Sequence, residues 1–137
     1  MRKRTYAREL SLQVLYQMDI TQDSADLALA NFWQSHEKPV HTQVKSFAAQ
    51  LIKGVMQNLA VIDDRISKYA TNWQLKRMAV VDRNILRLSC YELLFREDIP
   101  PKVSINEAIE LAKKYSGQEA GKFVNGILDR IKTEKSK

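Results

Sequence analysis

The chain has 137 residues, 45% of them hydrophobic, which is enough for one domain with a real core and too apolar for disorder over most of its length. Only 4 glycines and 3 prolines punctuate it, which suits long helices better than a turn-rich β sandwich or barrel. A formal net charge of +6 suits a nucleic acid or an acidic protein surface as partner.

The elements follow in chain order. Ala7, Leu10, Val14 and Met18, widened by Leu15, predict a first helix from about Thr5 to Ile20, behind a fraying Met1 to Arg4. Asp23 or Ser24 caps a second helix through Leu27, Leu29, Ala30, Phe32 and Trp33, and Pro39 lies in the loop after it. Thr42 caps a third, with its stripe at Val44, Phe47, Ala48, Leu51, Ile52 and Val55. A break near Asn58 precedes a helix carrying Val61, Ile62, Ile66, Tyr69 and Trp73. After a turn at Gln74 to Ala79, a helix over Val80 to Phe95 is apolar on most sides and belongs at the centre. Pro100 and Pro101 block a helix, and Ser104 stands three residues before Glu107 as in a capping box. Ile105, Ala108, Ile109 and Ala112, extended by Tyr115, form the next stripe. Gly117 breaks it, and Ala120, Phe123, Val124, Ile127, Leu128 and Ile131 form the last, ahead of a frayed Lys132 to Lys137. No segment alternates like a strand and none repeats. The fold class is therefore all-α, a bundle of about seven helices in one domain over 1–137, with an N-terminal half of about 1–75 and a C-terminal half of about 76–132.

Chemistry-bearing patterns are sparse. His36 and His41 are five apart in a polar segment, which is not the spacing of a helical zinc pair, and solvated loop histidines explain them. Gly117, Gly121 and Gly126 mark a turn and close packing, not a phosphate loop. Asp63 and Asp64 are adjacent and point in different directions on a helix, as charges of a solvated face do. Cys90, the single cysteine, reads as a buried structural thiol, which fits a reducing cytoplasm. No apolar core of a secretory signal follows the basic N-terminus, and no run reaches the length of a membrane span. No catalytic site, cofactor or metal is expected.

What remains is charge beside aromatic rings. Arg2, Lys3, Arg4 and Arg8 crowd the N-terminus and read either as a solvated end or as a mobile arm clamping phosphates; Tyr6 and Tyr16 on the adjoining helix supply stacking faces for single-stranded RNA. A second cluster joins Lys113, Lys114 and Lys122 to Tyr115 and Phe123. In the central helix, Arg87 and Glu92 interrupt an apolar segment, as interhelix ion pairs do, or as a partner surface would.

Three blocks resemble the bacterial transcription antitermination family NusB: the basic arm running into AREL and LYQ, VDRNILRLSCYELL at Val81 to Leu94, and IPPKVSINEAIELAKKY followed by KFVNGILD at Lys122 to Asp129. The resemblance spans the chain, weakly over residues 21–45. It implies two small helical subdomains and binding to the boxA segment of nascent ribosomal RNA transcripts. It also implies joint action with NusE, a small-subunit ribosomal protein, and with other Nus factors on RNA polymerase. By the same resemblance, Arg2, Lys3, Arg4 and Arg8 are the RNA-contacting arm, and Tyr16 and Phe123 match aromatic residues of the RNA surface. Glu119 matches an acidic residue that tempers affinity, and Lys122 adjoins it. Asp82 and Arg87 match a central-helix face that contacts RNA or NusE. Gly121 departs from the family, which often has a larger or polar residue there.

Two other readings stay open. The helix–Gly117–helix unit suggests a DNA-binding helix-turn-helix regulator, although its second helix is mostly apolar. Domains of this kind also occur fused to RNA methyltransferases, although no Gly-rich cofactor-binding segment is present up to Lys137.

Overall fold

The computed structural model describes residues 2–70 and 74–135. Among the described residues there is no strand, and the helices are α1 (Lys3–Thr21), α2 (Ala25–Ser35), α3 (Thr42–Gln57), α4 (Leu59–Tyr69), α5 (Val80–Phe95), α6 (Pro101–Ser116) and α7 (Gln118–Lys135), with a 3-10 turn at Leu75–Arg77. Trp73, expected on the stripe of α4, lies outside the described residues, as do Met1, Ser136 and Lys137.

The expected all-α bundle is present, and α5 holds its predicted bounds and its central place. It packs against α1, α3, α4, α6 and α7, burying Ile85, Leu86, Leu88, Cys90, Tyr91 and Leu93. Burial pushes the Cys90 thiol up to about 12, which leaves it without thiolate reactivity. Gly54 of α3 lets α5 approach, since a Cβ there would land within the ring of Tyr91. Ser24 caps α2 as expected, its Oγ accepting from the Leu27 amide at 3.2 Å.

Several local expectations change. His41, not Thr42, caps α3, with Nδ1 accepting from the Gln43 amide at 3.0 Å. His36 stacks on Phe32 with ring centres 5.5 Å apart. Neither is simply a solvated loop histidine.

Pro101 does not block α6 but occupies its first position, where its fixed φ suits a helix and its missing N–H costs nothing. The helix therefore starts three residues before Ser104, and the capping box does not form. Ser104 is buried inside the helix, and its Oγ donates to Glu92 Oε1 at 2.7 Å. Its carbonyl accepts from Ser89 Oγ at 3.2 Å. Glu107 instead turns toward α1.

Gly117, at φ +101°, ends α6, donating to the carbonyls of Ala112 and Lys113, and α7 starts at the next residue. Gly121 is a close-packing site, since a Cβ there would meet Lys113 Cγ at 3.2 Å. Gly126 is not, because open space surrounds it. Lys132 to Lys135, expected to fray, belong to α7. Glu134 ties α7 to Arg65, Lys68 and Tyr69 of α4, and Lys135 donates to the Leu93 carbonyl.

Candidate nucleic-acid interface

Helix direction sets the site. Arg8 of α1 meets Glu92 near the C-terminal end of α5, while Asp19 meets Arg83 near its N-terminal end. The two helices are thus antiparallel. Thr5 Oγ1 donates to Glu107 Oε1 at 2.6 Å, and Gln13 Nε2 to the Tyr115 hydroxyl at 3.4 Å, so α1 and α6 run side by side in the same direction. Long side chains bridge the seam between them.

At one end of this seam stand Arg2, Lys3 and Arg4, all exposed. They do not form a loose arm, because α1 already begins at Lys3. Lys3 Nζ donates to Gln43 Oε1 at 2.9 Å. The Arg4 guanidinium lies 4.4 Å from the centre of the Phe47 ring and 3.6 Å from Asp98. Asp98 is itself held by Arg96, whose hydrogen bonds bring its carboxyl down to about 2. These contacts fix where Lys3 and Arg4 sit while leaving them open to solvent.

Arg8 departs from the expectation. It is 3% exposed and pairs bidentately with Glu92, Nε to Oε2 at 2.9 Å and Nη2 to Oε1 at 2.8 Å. Glu107 stands 3.6 Å from its Nη1. A guanidinium taken out of water needs such partners, and here they leave no surface for a phosphate. Tyr6 likewise packs partly against the core and is not a free stacking face.

Midway along the seam, Glu9 Oε1 accepts from Lys114 Nζ at 2.6 Å and from the Tyr115 hydroxyl at 2.7 Å. Partial burial pushes the Glu9 carboxyl up, but these two hydrogen bonds and the Lys114 charge outweigh it and hold it below its ordinary value. Lys113 faces Glu110 at 3.8 Å, and Lys122 faces Glu119 at 3.5 Å. The second basic cluster is therefore largely neutralised, and its exposed ring, Tyr115, is its distinctive surface feature. Tyr16 follows Glu9 and Gln13 at helical spacing and is 39% exposed, the same as Tyr115.

The far end is a groove of about 410 Å³ lined by Met78, Ala79, Asp82, Ser116, Glu119, Ala120 and Phe123. It brings together three of the expected site residues from separate elements, Asp82 of α5 and Glu119 and Phe123 of α7. Asp82 Oδ1 is buried and has no hydrogen-bond partner.

Arg87, expected to share a face with Asp82, does not. Five residues turn a helix by roughly 140° from the starting face, and the two side chains diverge. Arg87 binds Asp63 bidentately, at 2.8 and 3.0 Å, and reaches Asp19 Oδ2 at 3.1 Å. Asp63 is thus an interhelix ligand and not a solvated charge. Arg83 joins Asp19 at 2.6 and 2.8 Å. Partial burial pushes the Asp19 carboxyl up, yet hydrogen bonds from Arg83 and Asn84 and the two arginine charges hold it low. Sequence reasoning missed Asp19, because its partners lie more than sixty residues away and nothing local marks it.

A family model described as the NusB family matches residues 5–133. The transcription antitermination protein NusB of Anaeromyxobacter sp. (strain Fw109-5) is 54% identical over 129 residues, covering 94% of this chain and 89% of that one. A solved structure of T. maritima NusB has a TM-score of 0.85 at 44% identity, covering 96% of this chain and 91% of that one. A solved complex of the antitermination factors NusB and NusE with double-stranded RNA contains a chain of TM-score 0.87 at 29% identity, covering 98% of each chain. The helix order, the central α5 and the α6–α7 pair thus recur in proteins of one kind, and the chain belongs to the NusB family.

Proposed function

We propose that this chain is a non-enzymatic RNA-binding factor of transcription antitermination, holding single-stranded boxA RNA of nascent ribosomal RNA transcripts jointly with NusE, within the assembly of other Nus factors on RNA polymerase. The observation that carries the reading is the seam between α1 and α6, with the exposed cations Arg2, Lys3 and Arg4 at one end, exposed Tyr115 and Tyr16 along it, and the groove of Asp82, Glu119 and Phe123 at the other. Lys3 and Tyr16 are thirteen residues apart on α1, about 20 Å at 1.5 Å per residue. A strand of several nucleotides follows such a path with phosphates at the cations and bases toward the rings. Lys122 contributes charge beside Glu119, tempered by their pairing.

The family names support antitermination, and the solved relative bound with NusE and RNA supports both partners. That relative holds double-stranded RNA; exposed rings favour unpaired bases, since a duplex already stacks its own. A helix-turn-helix regulator of DNA is disfavoured, because the exposed face of α7 sets Glu119 and Asp129 against Lys122 and Arg130 and offers a duplex no net positive charge. The reading places the protein where nascent transcripts are, in the cytoplasm.

The test is a titration of boxA RNA, a scrambled strand and the boxA duplex with the protein alone and with NusE. Tighter binding of single-stranded boxA, strengthened by NusE, is expected. Equal affinity for boxA and the scrambled strand in both conditions overturns the reading.

A further inference from the structure

A second cleft, of about 1080 Å³, opens beside the Leu75–Arg77 turn. Its walls include Asp19 of α1, Asp63 of α4, Arg83 and Arg87 of α5, and Lys76 and Arg77 of the turn. The turn is shared between two depressions. Leu75, Lys76 and Arg77 line this cleft, and the next two residues, Met78 and Ala79, line the groove beside α7.

The charges of the cleft do not cancel. Arg83 and Arg87 are matched by Asp19 and Asp63, so these four make a formally neutral floor. The oxygens of Asp19 are taken up by Arg83, Asn84 and Arg87, which leaves little of its charge to repel an anion. Lys76 and Arg77 stand exposed at the lip, and neither pairs with an acid among the described residues. Lys113, Lys114 and Lys122, by contrast, each face a carboxylate. The turn is also held in place, since Arg83 Nη1 donates to the Lys76 carbonyl at 3.3 Å. Cations on an anchored backbone lose less freedom on gripping a ligand than cations on a free loop.

Charge is what this cleft offers, because no aromatic ring is among the described residues that line it. It therefore suits a phosphate and not a stacked base. Continuity favours a nucleic-acid backbone over an acidic peptide. A strand leaving the groove at Met78 and Ala79 meets Lys76 and Arg77 at once, as the adjoining residues of the same turn.

We propose that the Lys76–Arg77 turn is a second phosphate clamp, holding the end of the RNA strand that leaves the groove. The inference rests on the RNA-binding reading above. Lys3 and Asp19 are sixteen residues apart on α1, about 24 Å at 1.5 Å per residue. The clamp of Arg2, Lys3 and Arg4 and the clamp beside Asp19 thus stand at opposite ends of that helix. Once one end of a strand is bound, the other is captured as an intramolecular step, so a strand that spans both clamps binds tighter than either contact alone provides.

The experiment uses the full chain and a boxA strand of about twelve nucleotides, a length that single-strand sites cover. The strand is made fully charged, or with neutral methylphosphonate linkages near its 5′ end, or with the same linkages near its 3′ end. The variant is Lys76→Ala with Arg77→Ala, and Lys76→Gln with Arg77→Gln, which keeps longer side-chain stems, is measured beside it. Both are expected to keep the native circular dichroism, since the two side chains are exposed. Losing two phosphate contacts reduces the slope of log affinity against log salt by about 1.4, so between about 50 and 200 mM salt the native protein is expected to lose roughly sevenfold more affinity than either variant. Neutral linkages at one end of the strand are expected to weaken binding by the native protein and not by the variants. Neutral linkages at the other end, which lies at Arg2, Lys3 and Arg4, are expected to weaken all three alike. An unchanged salt slope in the variants overturns the clamp while leaving RNA binding in place. Equal losses in native protein and variants from neutralising either end do the same. Weakened NusE association in the variants, with their RNA salt slope unchanged, identifies the ligand of the lip as an acidic protein face and overturns the proposal. No binding of any strand by the native protein, even at low salt, fails the RNA-binding reading itself and the proposal with it.

Discussion

Arg8 and Glu92 face each other inside the bundle, 84 residues apart in sequence, in a bidentate pair at 2.8 and 2.9 Å. The pair joins the start of α1 to the end of α5 and is the centre of a wider set. Ser104 donates to the same carboxylate, and Glu107 stands beside the guanidinium while accepting from Thr5. Three helices thus meet at two charges. The seam that carries the nucleic-acid reading lies between two of them, so this buried pair positions the site without touching a ligand.

Removing one partner of such a pair leaves a buried charge uncompensated, which costs roughly 3–5 kcal/mol, whereas replacing both with apolar residues is often close to neutral. Arg8→Ala is therefore expected to be strongly destabilising, and Arg8→Met with Glu92→Leu is expected to recover most of the loss. Urea denaturation followed by circular dichroism measures both. If Arg8→Ala unfolds at the native midpoint and instead flattens the salt dependence of RNA binding, Arg8 belongs to the arm after all.

The cations that remain exposed predict a different signature. Substituting Arg2, Lys3 and Arg4 with alanine is expected to weaken boxA and scrambled RNA alike and to reduce the slope of log affinity against log salt by about 0.7 for each phosphate no longer neutralised. Tyr16→Ala is expected to leave stability within about 0.5 kcal/mol, as for an exposed side chain, while weakening RNA binding by roughly 1–3 kcal/mol, the worth of one stacked base. An unchanged salt slope in the triple variant removes the arm from the site. An unfolded Tyr16→Ala places that ring in the core.

How much of this was legible in the sequence depends on how far apart the interacting residues lie. The bounds of α5, the Ser24 cap and the break at Asn58 rest on neighbours within one turn, and local periodicity found them. The Ser104–Glu107 spacing misled because it is also local: it matched a capping box, but Pro101 starts the helix earlier and turns both side chains toward α5 and α1. Arg8 and Asp19 were beyond reach, since a basic residue near a basic terminus looks the same whether or not a carboxylate from a distant helix awaits it. The convergence of Asp82, Glu119 and Phe123 on one groove needed the turn at Gly117, whose presence was readable and whose geometry was not.

Two glycines are expected to respond to alanine with opposite signs. At Gly54 a Cβ would enter the Tyr91 ring, and overpacking of this kind costs roughly 1–3 kcal/mol. At Gly126, exposed and helical, a Cβ meets nothing within 4 Å, so alanine is expected to stabilise by about 0.5–1 kcal/mol through the smaller entropy lost on folding. Thermal melting of the two variants checks both. A neutral Gly54→Ala would show that Tyr91 rotates away at little cost.

Acid stability is expected to depend on Asp19. Its carboxyl is held below the ordinary value in the folded protein, whereas an aspartate of the unfolded chain titrates near its ordinary value of about 3.9. Between those values the unfolded state binds more protons, so stability rises with pH. The contribution is fully present above the unfolded value and is lost as pH falls through the folded one. Asp98, at about 2, follows the same sign, but its side chain is half exposed and solvent screening leaves it little weight. Asp19 instead joins Arg83, Arg87 and Asn84 of α5 to the end of α1. Asp19→Asn is therefore expected to lower stability at pH 7 and to flatten the fall in stability between about pH 5 and pH 2, because the group whose protonation drives part of that fall is gone. Denaturation midpoints of native protein and variant across this window decide it, and parallel curves would show that the Asp19 cluster does not govern the acid response.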